Sequence, residues 1–127
     1  MVSVSDTRDG RLEELKALRG EKLAQGFRYT VSGTEYTFQV NAEAQRDMLA
    51  IQSQFILGVT NPHSGFWISE GNIPVTMDDT AVQAFFQAAF THVNGVKARA
   101  WAHRTNLNNL NAKQDIEDYD ITMGWPQ

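Results

Sequence analysis

At Asn41 the hydrophobic period of this chain changes from two to between three and four. Upstream, Phe27–Val31 and Thr34–Val40 alternate apolar and polar residues, the signature of strands with one buried face. Ser32-Gly33 between them is a two-residue loop, in which glycine tolerates the positive φ of a tight hairpin turn. A loop of that length sets the register, with Val31 opposite Thr34, Tyr29 opposite Tyr36 and Phe27 opposite Phe38. Aromatic cross-strand pairs contribute roughly 0.2–1 kcal/mol each relative to alanine pairs. The other face carries Arg28, Thr30, Glu35, Thr37 and Gln39 and is expected to be solvated. Downstream, Asn41 suits an N-cap and Glu43 suits the positive end of a helix. Ala44, Met48, Ile51, Phe55 and Val59 then form an apolar stripe that can lie on the aromatic face of the hairpin.

The same two periods organise the rest. Asn61–Gly65 reads as a loop, and Phe66–Ser69 with Ile73–Thr76 as a second short hairpin around Glu70-Gly71-Asn72. Pro74 is expected on an edge, because proline cannot donate to a central ladder. Thr76–Thr80 is rich in capping and acidic residues and starts a long helix, expected over Thr80–Arg104. Val82, Phe86, Ala89, Val93, Val96, Ala100, His103, Leu107 and Leu110 make a heptad-like seam in it, widened by Phe85, Phe90 and Trp101. The seam is read as intramolecular core, with a helix-mediated homo-oligomer as the alternative. Gly95 is its weak position, costing near 1 kcal/mol relative to alanine. The asparagine-rich run Asn106–Asn111 should fray the helix. Lys113–Tyr119 adds a turn or two, with Ile116 and Tyr119 inward, and the extended end at Asp120–Pro126 is tied down through Trp125. Arg11–Gln25 reads as a charged helix with a narrow stripe of Leu12, Leu15, Leu18 and Leu23.

These elements predict an α+β fold: a small antiparallel sheet of two short hairpins packed against two or three helices, with a charged N-terminal helix. The expected division is residues 1–25 as that helix or linker and residues 26–127 as the α+β domain. A chain of 127 residues can bury a real core without disulfides, and it has no cysteine to form them. Residues 1–10 lack an apolar h-region, so neither a signal peptide nor a membrane span is expected. A net charge of −4 argues against nucleic acid as a partner, since phosphate neutralisation needs a basic surface.

Catalytic chemistry is not legible. His92 and His103 share a helix face but lie about 16 Å apart, too far for one metal ion. Asp115, Glu117, Asp118 and Asp120 lack the alternating ligands and turn glycine of an EF-hand loop and read as a solvated acidic face. Ser32, Ser64 and Ser69 sit in turns without a nucleophile-elbow pattern, and there is no glycine-rich phosphate loop. Neither an enzyme nor a cofactor or metal is expected.

The order of elements carries a resemblance. A charged helix, the hairpin GFRYTVSGTEYTFQV, the helix AEAQRDMLAI with its Gln45-Arg46 pair, and FWISEGNIPVTM ending on Thr76-Met77 follow one another. Then come the long helix AVQAFFQAAF and an acidic close on Gly124-Trp125-Pro126. From about residue 8 onward this resembles a domain of unknown function found in proteins of tailed bacteriophages and prophages. Asn41, where relatives often place Asp, and Ala102-His103-Arg104 at the helix end depart from that pattern. The resemblance implies a non-enzymatic component of the virion tail or tail fibre, made in the bacterial host cytoplasm and acting through contacts with other tail or tail-fibre proteins. A homo-oligomer, a trimer if the setting is a fibre, is compatible with it. A tail-fibre assembly chaperone absent from the mature particle is the alternative, and a tail-associated glycan-binding or hydrolytic module a further one. Arg28, Thr30, Glu35, Thr37, Trp67 and Trp125 are the candidate partner-docking residues.

Overall fold

A computed structural model describes residues 2–127. The elements are α1 (Val4–Ala24), β1 (Phe27–Val31), β2 (Thr34–Phe38), α2 (Ala42–Ile56), β3 (Phe66–Ser69), β4 (Ile73–Thr76), α3 (Asp79–Asn109) and α4 (Lys113–Asp118). The α+β arrangement with an N-terminal helix is as expected. The two hairpins form separate two-stranded antiparallel ladders, joined by one hydrogen bond from Glu70 N to Thr37 O at 2.8 Å. The chain divides into two units. One is Leu23–Val93; the other joins the N-terminal segment through Lys22 to Asn94–Pro126.

In the Leu23–Val93 unit, β1 and β2 pair in the expected register, with Phe27 opposite Phe38 and Tyr29 opposite Tyr36. Ser32 and Gly33 both have positive φ, 51° and 81°, as a type I′ turn requires for its twist to match that of the strands. The aromatic face closes on Phe85 of α3, whose ring centroid lies 4.4 Å from that of Phe38 and 5.2 Å from that of Tyr29. Phe38, Met48, Val82, Phe85 and Phe86 are fully or almost fully buried in this core. The stripe of α2 joins the core through Met48, with Ala44, Ile51 and Phe55 packed around it.

Local chemistry sets the ends of α2. Asn41 Oδ1 accepts from Ala44 N at 2.9 Å, satisfying one of the orphan donors of the first turn. At the other end Val59 N donates to Gln54 O and Gly58 N to Phe55 O, both at 3.0 Å. With Gly58 at φ 83°, that is a Schellman closure. The start of α3 is capped by Asp78, whose Oδ1 accepts from Ala81 N at 2.8 Å.

The second unit corrects four sequence expectations, one of them at the chain's end, where Ile121–Gly124 turns instead of extending. Helix α1 begins at Val4 rather than Arg11, because Ser3 Oγ accepts from Asp6 N at 3.0 Å and starts the helix one cap earlier. Helix α3 runs through the asparagine run to Asn109 instead of fraying at Asn106. The Arg8 guanidinium donates to Leu110 O at 2.7 Å and Leu107 O at 3.4 Å, taking up carbonyls that a helix end leaves free. Trp101 does not widen the seam; its side chain is 66% exposed, with the Arg104 guanidinium 5.6 Å from the ring centroid.

Other expectations hold in this unit. Leu15 of α1 is buried, as are Val96, Leu107 and Ile116. Gly95 has a packing reason: a Cβ there would lie 3.0 Å from the Pro126 ring. Trp125 is held as expected, its Nε1 donating to Ile121 O at 2.7 Å.

Candidate functional site

The β3–β4 hairpin poses a burial problem that its sequence cannot solve internally. Three of the four β3 residues, Phe66-Trp67-Ile68-Ser69, are apolar, yet successive side chains point to opposite faces. Trp67 turns inward opposite Val75 and meets Phe86 edge-on, with ring centroids 4.9 Å apart. Phe66 and Ile68, opposite Thr76 and Pro74, are left exposed. This apolar outer face borders a groove of about 570 Å³ that runs along α2.

The α2 wall of the groove follows from helical spacing. Glu43 and Asp47 are four residues apart and therefore neighbours on one face, with Ala44 and Ile51 beside them. The hairpin turn adds Glu70 on the opposite wall. Three carboxylates line the groove and no lysine or arginine does. The result is a groove that sets Ile51, Phe66, Trp67 and Ile68 among three carboxylates, the chemistry of a binding surface for an apolar side chain flanked by positive charge.

His63 closes one end. It is buried, and its Nε2 lies 3.1 Å from Asp79 Oδ1 while Asp79 Oδ2 accepts from Asn61 N at 2.9 Å. A histidine oriented by a carboxylate invites comparison with a catalytic dyad. Among the described residues, however, none hydrogen-bonds His63 Nδ1, and Ser69 Oγ is engaged with Ile73 O at 2.9 Å. The pair pins the Asn61–Gly65 loop to the start of α3.

The six docking candidates separate in the structure. Arg28, Thr30 and Glu35 are exposed on the polar face of the first hairpin, with Thr30 opposite Glu35. Thr37, half-buried and opposite Arg28, spends its carbonyl on Glu70 N. Of the six only Trp67 lines the groove. Trp125 is 9% exposed and packs its ring 5.5 Å from that of His103, so it serves the core of the second unit and offers little surface. Sequence reasoning missed Glu43, Asp47, Glu70, Phe66 and Ile68. The available signal was the crowded apolar alternation of β3, which leaves one apolar face outward whichever way the strand turns.

The second unit carries a cleft of about 630 Å³ between α1 and the later turns of α3. Lys16 and Arg19 line it from α1 and Lys97 and Arg104 from α3, against the two carboxylates Asp9 and Glu13; the exposed Trp101 stands at its edge. Two of the C-terminal acidic residues accept local hydrogen bonds. Asp120 accepts from Thr122 Oγ1 at 2.5 Å and Thr122 N at 2.8 Å, and these bonds hold its carboxyl below the usual carboxylate range. Asp118 accepts from Gln114 Nε2 at 2.9 Å. Among the described residues no three His, Asp or Glu side chains converge as a metal site would need, and no helix is long and apolar enough to cross a membrane.

A family model described as a domain of unknown function (DUF4376) matches residues 6–122. No curated protein and no solved structure matches the chain.

Proposed function

The chain belongs to the DUF4376 family of domains of unknown function, and we propose that this member is a non-enzymatic docking protein of the tail region of a tailed bacteriophage. The observation that carries the docking reading is the groove between α2 and the β3–β4 hairpin. It joins Glu43, Asp47 and Glu70 to apolar side chains, among them the outward-facing Phe66 and Ile68. An exposed apolar face rimmed by polar groups is the usual mark of a protein-binding surface. The tail setting is supported by the order of elements and by Gln45-Arg46, Thr76-Met77 and Gly124-Trp125-Pro126, which resemble tail-region proteins.

The partner in this reading is another tail or tail-fibre protein. Mass spectrometry of purified particles tests it: the polypeptide is expected in the virion at a fixed copy number, in multiples of three if it sits in a fibre. Presence in infected cells but absence from particles would make it a transient assembly factor instead. Trp67 beside Glu43 and Asp47 favours one further reading, a glycan-binding groove. Saturable binding of an oligosaccharide, abolished by Trp67→Ala, would replace protein docking with that function.

A further inference from the structure

We propose that the acidic groove accepts the Trp101 edge of a second copy of this chain. The proposal rests on the reading of the groove as a docking surface and names its occupant. Two surfaces of the chain are complementary in charge: the charged residues of the groove are all carboxylates, and the cleft carries Lys16, Arg19, Lys97 and Arg104 against Asp9 and Glu13. The groove carries Glu43, Asp47 and Glu70 with no lysine or arginine. The cleft edge presents an aromatic ring 66% exposed, with Arg104 5.6 Å from its centroid and Lys97 four residues earlier on the same helix face. An indole flanked by cations is the ligand that a groove with exposed apolar side chains among carboxylates would select.

Magnitudes set the kind of association. A space of about 570 Å³ is ample for an indole, and a buried tryptophan removes roughly 150–250 Å² from water. A stable interface needs about 1,000 Å² or more in total. The contact is therefore weak to moderate, dependent on concentration and, because its charges lie at the rim, weakened by salt. Two different surfaces meet in it, so the contact is made twice in a reciprocal dimer or once per step in a head-to-tail ring or chain.

Sedimentation of the full-length chain over a wide concentration range at low salt tests the proposal. The wild type is expected to self-associate. A groove variant (Glu43→Lys with Asp47→Lys) and an edge variant (Lys97→Glu with Arg104→Glu) should each lose at least about tenfold in association constant. An equimolar mixture of the two variants should recover association, because each reversed surface then meets its complement. All five side chains involved, counting Trp101, are exposed, so folding should survive, and the recovery in the mixture would show directly that it has. A monomeric wild type, association indifferent to either pair, or variants that fail to complement each other would overturn the proposal. A wild type that stays monomeric yet binds a peptide with a tryptophan between lysines, in a manner lost in the groove variant, would overturn the second-copy occupant and leave the docking function standing.

Discussion

His103 Nδ1 lies 2.7 Å from the hydroxyl of Tyr119, and that contact is the middle of a chain of hydrogen bonds across the second unit. His103 Nε2 lies 2.8 Å from Met123 O, which can only accept, so Nε2 carries a proton, and in the neutral ring Nδ1 is then the acceptor. The Tyr119 hydroxyl donates to Nδ1 and accepts from Asn106 Nδ2 at 2.9 Å. Both ring nitrogens of a residue only 3% exposed are thereby satisfied. The arrangement ties α3, the end of α4 and the Ile121–Gly124 turn together.

Tyr119→Phe removes the donor and leaves Nδ1 buried without a partner. A buried unsatisfied acceptor costs about 1–3 kcal/mol, and the loss should appear in a urea melt with an unchanged m-value. Asn106→Ala should cost much less, since Asn106 is exposed and water can replace it. Equal losses in the two variants would contradict the assigned direction of the chain.

Phe38→Ala tests the core of the other unit. Phe38 is fully buried, 4.4 Å from Phe85 between ring centroids. Truncating a buried phenylalanine costs about 3–5 kcal/mol through lost transfer energy and the cavity left behind. A chemical melt showing less than roughly 1 kcal/mol would mean that the hairpin face is not core.

Much of this unit was legible because its determinants are local. A two-residue loop and a period of two leave one register for Phe27–Phe38, and Asn41 followed by a stripe at Ala44, Met48 and Ile51 leaves one start for α2. What was hidden depends on residues far apart in the chain. Helix α3 outlasts its asparagines because Arg8, about a hundred positions earlier, takes its last carbonyls. Gly95 looks like a weak link until Pro126 is seen against it. The groove acids could not be read, since Glu43 and Glu70 come to line one groove only when hairpin and helix pack. Trp101 sat at a position compatible with a wide seam, and periodicity alone cannot say which flank of such a seam is covered.

Gly95→Ala sets two effects against each other. Helix propensity favours alanine by about 1 kcal/mol, whereas the new methyl would lie 3.0 Å from Pro126 Cγ. In the wild-type background the substitution should be neutral or destabilising. With Pro126→Ala also present it should stabilise, by up to about 1 kcal/mol. A double-mutant cycle measures the coupling directly. A stabilising Gly95→Ala with Pro126 in place would show that the ring does not restrain this position.

His92 gives the fold a dependence on pH. Its ring is buried against Phe27, with centroids 5.0 Å apart, its Nε2 has no hydrogen-bond partner, and burial lowers its pKa. The neutral form is thus favoured in the folded state, while the unfolded chain titrates near the usual value of about 6.5. As pH falls through about 6.5 the unfolded state takes up a proton that the folded state refuses, so stability is lost from there down to the lowered folded value. Above about pH 7.5 the contribution is complete and flat. Subtracting the pH–stability curve of His92→Gln from that of the wild type isolates this one contribution. The difference is expected to be constant at neutral to alkaline pH and to fall for the wild type on acidification through about pH 6.5. A difference that stays flat down to about pH 5, or rises, would mean that His92 ionises as freely in the folded protein as in the unfolded chain.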